Sequence, residues 1–422
     1  MTHTLLRGRT AIAAALGLGL ALAAPLAATA GPPAPGTTPA GGSETITTTA
    51  SVDASLTTEF ETYGDTSGRW TGADSAYSVP LPGGKIAWLY SDTFLGTVNA
   101  DHSRPTDSPF VHNSIVVDDR HGLTTHTGGT TAAPASLVQV PGGDENQDWY
   151  WFGDGTVEGN HLRVTLLEFV RTGDQPFDFA FKGTAVASFS LRTMALEGIT
   201  KRPAGTVQWG SAIYEDGGYT YVYGVEDLQS TKYLHLARVR TNHLTTKPWE
   251  FWTGSGWSAA ESASARIMDG VSNEFSVTKF QGRYTLVTGD TTEILSAKVV
   301  MYRSDSLTGP FTNKTLLYTT PETGGNVFTY NAKAHPELGD RDTLLVTYNV
   351  NSFSTDDVYA NVDNYRPRYI DVDVAIRRRC PEGTTSGRRR SRDASAEHGL
   401  RLALGGRDLR HLVSPLGRAD FR

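Results

Sequence analysis

One unit recurs five times along this chain, and that recurrence limits the fold more than any single motif. Each unit is a strand-like run, a tight turn and a second, aromatic-rich run ending on a carboxylate or an amide. The first is ADSAYSVPLPGGKIAWLYSD, ending at Asp92, and the second is ASLVQVPGGDENQDWYWFGD, ending at Asp154. WGSAIYEDGGYTYVYGVED follows, ending at Glu226 and Asp227. NEFSVTKFQGRYTLVTGD then ends at Asp290, and NAKAHPELGDRDTLLVTYN at Asn349. The end points lie 62, 72, 64 and 59 residues apart, with further strand-like runs such as YLHLARVR and WEFWTG between them. Val, Ile, Tyr, Trp and Thr dominate these runs, and Gly, Pro or Asp bound them, which is the composition of half-buried strands. No stretch of the core carries a 3.6-residue apolar period over three turns, so the chain reads as all-β. Four antiparallel strands per unit and five units predict a five-bladed β-propeller. A β-sandwich with accidental hairpins is the competing reading, and it gives no reason for so even a spacing.

The flanks differ from this core. Arg7 and Arg9 precede an apolar run from Thr10 to Leu26, and Ala28-Thr29-Ala30 forms a small-x-small cleavage pattern. Residues 1–30 are therefore expected to be a cleaved signal peptide and the mature protein extracellular. The apolar run is broken by Pro25 and is shorter than the roughly 20 residues a membrane span needs, so no membrane association is expected after cleavage. Residues 31–50, mostly Pro, Gly, Thr and Ala, are expected to be a disordered linker, and 51–376 the propeller. From 377 to 422 the chain has twelve Arg, no Lys and five acids. That tail reads either as disorder outside the domain or as a basic arm for an anionic cell wall.

The total charge of −7 thus conceals a strongly acidic core, which would repel phosphate backbones and excludes nucleic acid as a partner. Neutral polysaccharides or oligosaccharides remain, and a monomer is expected. Cys380, the only cysteine, lies in the tail, so the core has neither a Cys-ligated zinc site nor a thiol nucleophile.

In a propeller the starts of first strands and the ends of second strands emerge on one face. This brings together Asp74, Trp70 and Trp209 with Asn273, Glu274, Asn331, Lys333 and His335 at strand starts. Asp92, Asp154 and Asp227 join them at strand ends, and the loop after Asp92 returns with His112 and Asn113. Acids for proton transfer, amides and a Lys for hydroxyls and aromatics for sugar faces together describe a carbohydrate site. Asp154, Asp227 and Asp290 read equally well as turn caps. Lys333 and His335 alternate on one strand and point the same way; His335 serves either substrate or a central ion or water. The chemistry calls for no cofactor, and a structural calcium in the central channel is the one ion the reading admits.

Several segments carry a family resemblance. Trp70-Thr71-Gly72-Ala73-Asp74-Ser75, Trp88-Leu89-Tyr90-Ser91-Asp92-Thr93 and Asn331-Ala332-Lys333-Ala334-His335-Pro336 resemble secreted actinobacterial proteins with a domain of unknown function. Ser306-Leu307-Thr308-Gly309-Pro310-Phe311 does so too, and its Ser-x-x-x-Gly-Pro-aromatic pattern is similar to five-bladed furanosidase propellers such as glycoside hydrolase family 43. Some relatives look like endo-D-arabinanases. The resemblance implies a secreted glycoside hydrolase acting on an arabinan-like polysaccharide, with Asp74 as base or nucleophile. The family 43 acid comes from blade three, which here opens with Trp209-Gly210-Ser211 and offers none. Glu274 is the substitute acid and Asp92 the second candidate. A non-catalytic glycan-binding propeller, a lectin or adhesin, is the alternative.

Overall fold

Runs of β-branched and aromatic residues build antiparallel hairpins, and the hairpins stack because both faces of each sheet are apolar. The computed structural model describes residues 44–175, 177–202 and 205–378. Among these, five sheets have four or five strands each. The first comprises Tyr77–Leu81, Lys85–Tyr90, Ser114–Asp119 and Gly122–His126. Asp148–Glu158, His161–Arg171, Phe179–Ser190 and Leu196–Lys201 make the second. The third runs from Val207–Asp216 through Tyr219–Asp227, Lys232–Arg240 and Glu250–Trp252 to a fifth strand, Trp257–Ser258. Phe275–Phe280, Arg283–Gly289, Lys298–Ser304 and Thr312–Thr319 follow as the fourth. The fifth joins Val327–His335, Thr343–Ser352 and Pro367–Arg378 to Glu44–Val52, the first described strand of the chain.

Packing runs in cyclic order. Leu89 and Ile115 of the first sheet meet Tyr150 and Leu166 of the second. Val186 of the second meets Trp209 and Val222 of the third, and Tyr223 of the third joins Phe275 and Leu286 of the fourth. Val287 and Met301 then pack on Val346 and Val372 of the fifth. Trp88 and Val116 of the first sheet close the sequence on Leu345 and Tyr369 of the fifth. The innermost strands of all five sheets line one central cavity.

Three expectations need correction. Residues 44–50, expected as linker, belong to the strand Glu44–Val52, with Thr48 opposite Val374. The alternation around Ile46, Thr48 and Ala50 carries this strand, and Ile46 and Ala50 pack on the core. The core also contains a helix, Ala54–Thr66, capped by Asp53, whose carboxylate accepts from the Leu56 amide at 3.0 Å. Phe60 anchors it against Trp70 and Trp88, with ring centroids 5.6 and 5.4 Å away. Finally, the second hairpin is Asp148–Glu158 with His161–Arg171, so the DWYWFGD run is an innermost strand and not a second strand. Residues 1–43 and 379–422, with the expected signal peptide and most of the tail, lie outside the described residues.

The innermost strands are irregular where they matter. Register shifts fall between Phe152 and Gly155, between Trp209 and Ala212, and between Tyr330 and Lys333. Gly210 (φ 110°) and Asn331 (φ 57°) adopt left-handed backbone there, as do Ser75 and Ala76 before the first sheet. Such bulges re-aim side chains out of the regular alternation. Asp154, Lys333 and Ser75 are turned toward the channel in this way.

Candidate active site

At one end of the channel lies a cavity of about 290 Å³. Asp74 and Glu274 both line it. Asp74 follows the short strand Trp70–Ala73; its amide donates to the Asp92 carbonyl at 3.0 Å, and the Ser91 amide donates to the Asp74 carbonyl at 3.2 Å. This exchange holds Asp74 and Asp92 side by side. Tyr330 and Tyr365 donate their hydroxyls to Asp74 Oδ2 at 2.9 and 3.1 Å, while Oδ1 has no protein partner. Burial pushes the Asp74 carboxyl well above the ordinary carboxylate range, and the charges of Asp92 and Glu274 push the same way.

Asp92 is fully buried. Its Oδ1 accepts from His112 Nδ1 and from Trp151 Nε1, both at 2.8 Å, and its Oδ2 has no partner. Burial raises its carboxyl, against the pull of His112. His112 is itself fixed by stacking on Trp149 at 4.8 Å and by hydrogen bonding to the Glu145 carbonyl.

Glu274 opens the fourth sheet. Its Oε2 pairs with Lys333 Nζ at 2.6 Å, and its Oε1 accepts from Ser75 Oγ at 2.7 Å. An ammonium has three N–H donors. Those of Lys333 go to Glu274, to the Asn331 carbonyl at 2.9 Å and to the Ser75 carbonyl. None is left for a ligand. Lys333 is therefore a buried clamp on Glu274, and not the substrate-binding group the sequence suggests.

The side walls are of two kinds. One is polar: Asn273 Nδ2 donates to Asp227 Oδ2 at 2.7 Å and to Gln208 Oε1 at 3.2 Å, and Asp227 pairs with Lys232. The other is aromatic, built from Trp151, Phe169, Phe179 and Phe181 of the second sheet. Sequence reasoning missed this wall and Gln208. The signal was present in Phe179-x-Phe181, an alternation that puts two rings on one face of a strand.

A family model described as a domain of unknown function, DUF5005, matches residues 57–375. The chain belongs to the DUF5005 family. No curated protein matches it. Among solved structures, a candidate hydrolase from Bacteroides ovatus aligns with a TM-score of 0.65 at 22% identity, covering 77% of this chain and 90% of that one. More distant is a GH43_1 enzyme from Xanthomonas citri complexed with xylotriose, with a TM-score of 0.43 at 14% identity, covering 72% and 87%. An α-L-arabinofuranosidase from Podospora anserina in complex with cellotriose gives 0.41 at 10%, covering 73% and 92%. The first likeness establishes a shared fold; at the scores of the other two, likeness does not bear on chemistry.

The DUF5005 domain has a second, larger cavity of about 500 Å³ lined by the innermost strands of all five sheets. Asp154, His335 and Glu337 line it together with Lys333. The Asp154 carboxylate accepts from the Ile213 amide at 2.6 Å and from its neighbour Gly155 at 2.8 Å, and burial pushes it up to about 7. His335 Nδ1 meets Ser78 Oγ at 2.5 Å and Nε2 meets Thr347 Oγ1 at 2.7 Å. Burial, reinforced by Lys333, pushes the His335 imidazole well below its usual range.

Of the residues singled out from sequence, the structure brings Asp74, Glu274, Asn273 and Asp227 to the smaller cavity, with Asp92 and His112 behind Asp74. Asp154 and His335 belong to the larger one, because a bulge places Asp154 mid-strand. Trp70 and Trp209 are buried in the core; Trp209 Nε1 donates to Glu261 at 2.9 Å. Asn113 is also internal, donating to the Val138 and Tyr150 carbonyls, both at 2.9 Å. Asn331 is buried in the bulge beside Lys333 and lines neither cavity. No cluster of three or more His, Cys, Asp or Glu side chains suited to a metal occurs among the described residues.

Proposed function

We propose that this protein is a glycoside hydrolase whose five sheets are the blades of a five-bladed propeller, with the Asp74–Glu274 cavity as its active site. The observation that carries this reading is the electrostatic contrast between two carboxyl groups on one cavity. Asp74 is pushed toward its protonated form and has a free Oδ1, whereas Glu274 is the carboxylate of a 2.6 Å ion pair with Lys333. A carboxyl held toward its protonated form beside an ion-paired carboxylate supplies a general acid and a base or nucleophile at once.

The sequence resemblance gives Asp74 the base role; the geometry favours the opposite assignment. Asp74 passes its proton to the glycosidic oxygen as the bond to the anomeric carbon breaks. Glu274 either attacks that carbon or takes a proton from the water that does. Asp92, anchored by His112 and Trp151, keeps the proton on Asp74 by its adjacent negative charge.

The leader-like first thirty residues support an extracellular polymer as substrate, and the furanosidase resemblance makes arabinan the first to try. Reducing sugar released by the purified protein from arabinan, galactan and other wall polysaccharides is the direct measurement. Cleavage of at least one polymer is expected, with Asp74→Asn and Glu274→Gln each reducing it at least about a hundredfold. Undiminished cleavage by both variants would overturn the proposal.

A further inference from the structure

The aromatic wall does not stop at the cavity. Tyr330, whose hydroxyl donates to Asp74, packs on Phe328 with ring centroids 5.6 Å apart. Phe328 in turn lies 4.5 Å from Phe353, and Phe353 is 6.5 Å from Phe177. Phe177 stands two residues before Phe179, which lines the cavity. An unbroken series of rings therefore leads from the acid to the surface, joining Phe177, just before the third strand of the second sheet, to the fifth. At its outer end Phe353 is 46% exposed, the only Phe or Trp among the strongly exposed large apolar side chains of the described residues. Phe328, beneath it, is only 1% exposed, so Phe353 rests on a rigid base. An exposed ring held in place on a buried one costs hydration without gaining burial, and such patches mark binding surfaces.

Charge narrows the occupant. The cavity lining includes three carboxyl groups, Asp74, Asp227 and Glu274, and no Lys, Arg or His. The nearest ammonium groups, Lys333 and Lys232, are each paired to one of those acids. A uronate or a phosphorylated sugar would find no unpaired cation there to offset the loss of its hydration.

We propose that the site takes an uncharged glycan chain, with one sugar at Asp74 and Glu274 and a later sugar stacked on Phe353 as an outer subsite. This rests on the glycosidase reading and adds both substrate class and chain length to it. Neutral arabino-, xylo- and galacto-oligosaccharides of increasing length, beside an oligogalacturonate series, are the probes, with binding measured to the full-length protein. Affinity is expected to rise with length in a neutral series and to be absent for the galacturonates. Phe353→Ala should reduce the ratio of long-chain to short-chain affinity about tenfold, and Phe353→Trp should restore it.

A thermal melt establishes that Phe353→Ala is folded, as expected for an exposed position. An unchanged ratio in folded Phe353→Ala overturns the outer subsite and leaves the glycosidase reading intact. Galacturonates bound as tightly as neutral chains overturn the charge assignment. Failure of the wild type to bind or cleave any glycan overturns the glycosidase reading itself, and this inference with it.

Discussion

The larger cavity is lined by the innermost strands of all five sheets and the smaller one mainly by strand ends, loops and outer strands of the second sheet; both hold buried acids, yet their chemistry differs. In the larger one the polar atoms satisfy each other: Asp154 accepts two backbone amides, and both nitrogens of His335 have hydroxyl partners. At the smaller one Asp74 Oδ1, and behind it Asp92 Oδ2, are buried without partners. A buried polar atom left unpaired costs on the order of 1–3 kcal/mol, a cost that a ligand group or an ordered water bonded to it removes. Partner satisfaction, more than the presence of acids, distinguishes the two cavities.

The sharpest way to break this comparison is to neutralise one acid at each end. Asp74→Asn should lower polysaccharide cleavage by about 10²–10⁴-fold, whereas Asp154→Asn should change it less than about threefold. Equal losses would show that the two ends are not functionally distinct.

Removing the clamp between the cavities is the next largest change. Lys333→Met leaves the Glu274 carboxylate buried without its cation and should destabilise the fold by about 3–5 kcal/mol. Chemical denaturation at neutral pH measures this; an unchanged midpoint would mean that Glu274 is not held by that charge.

Asp92 tests the smaller cavity more gently. Asp92→Asn can keep its Oδ1 bonds to His112 and Trp151 while losing the negative charge beside Asp74. The pH profile of kcat/KM should then lose its alkaline activity at lower pH than wild type, because Asp74 gives up its proton more readily. An alkaline limb that stays in place would remove Asp92 from the control of Asp74.

The smallest effect concerns stability at the larger cavity. Asp154 has an ordinary pKa near 3.8 when unfolded and about 7 when folded, so the folded state binds the extra proton between these values. Its contribution is complete below about 4 and is lost as pH rises through about 7. Melting temperature should consequently fall more steeply with pH across this window in wild type than in Asp154→Asn. Parallel slopes would contradict the assigned burial.

Much of this was legible in the residues. Strand composition and turn chemistry announced the hairpins, and the Trp70–Ser75 and Asn273-Glu274 segments pointed at the two acids that do share a cavity. What misled was local irregularity. Because Asp154 ends an aromatic run, it reads like Asp92, yet a bulge between Phe152 and Gly155 sets it mid-strand and turns it to the other cavity. Lys333 and Trp209 have the composition of ligand-binding residues; only their partners show that one is a fully used clamp and the other a core side chain. The helix at Ala54–Thr66 escaped because its apolar stripe amounts to little more than Leu56, Phe60 and Tyr63, packed on rings from distant sheets.

By itself, then, the sequence determined the fold class and most of the hairpin spacing, since alternation and turn residues act over a few neighbours. It also named Asp74 and Glu274. Only the tertiary structure decided what surrounds them, because Asp92, two tyrosine hydroxyls and Lys333 reach the pair from positions up to 291 residues away. Electrostatics in a buried site depends on distance in space, and no local pattern encodes it.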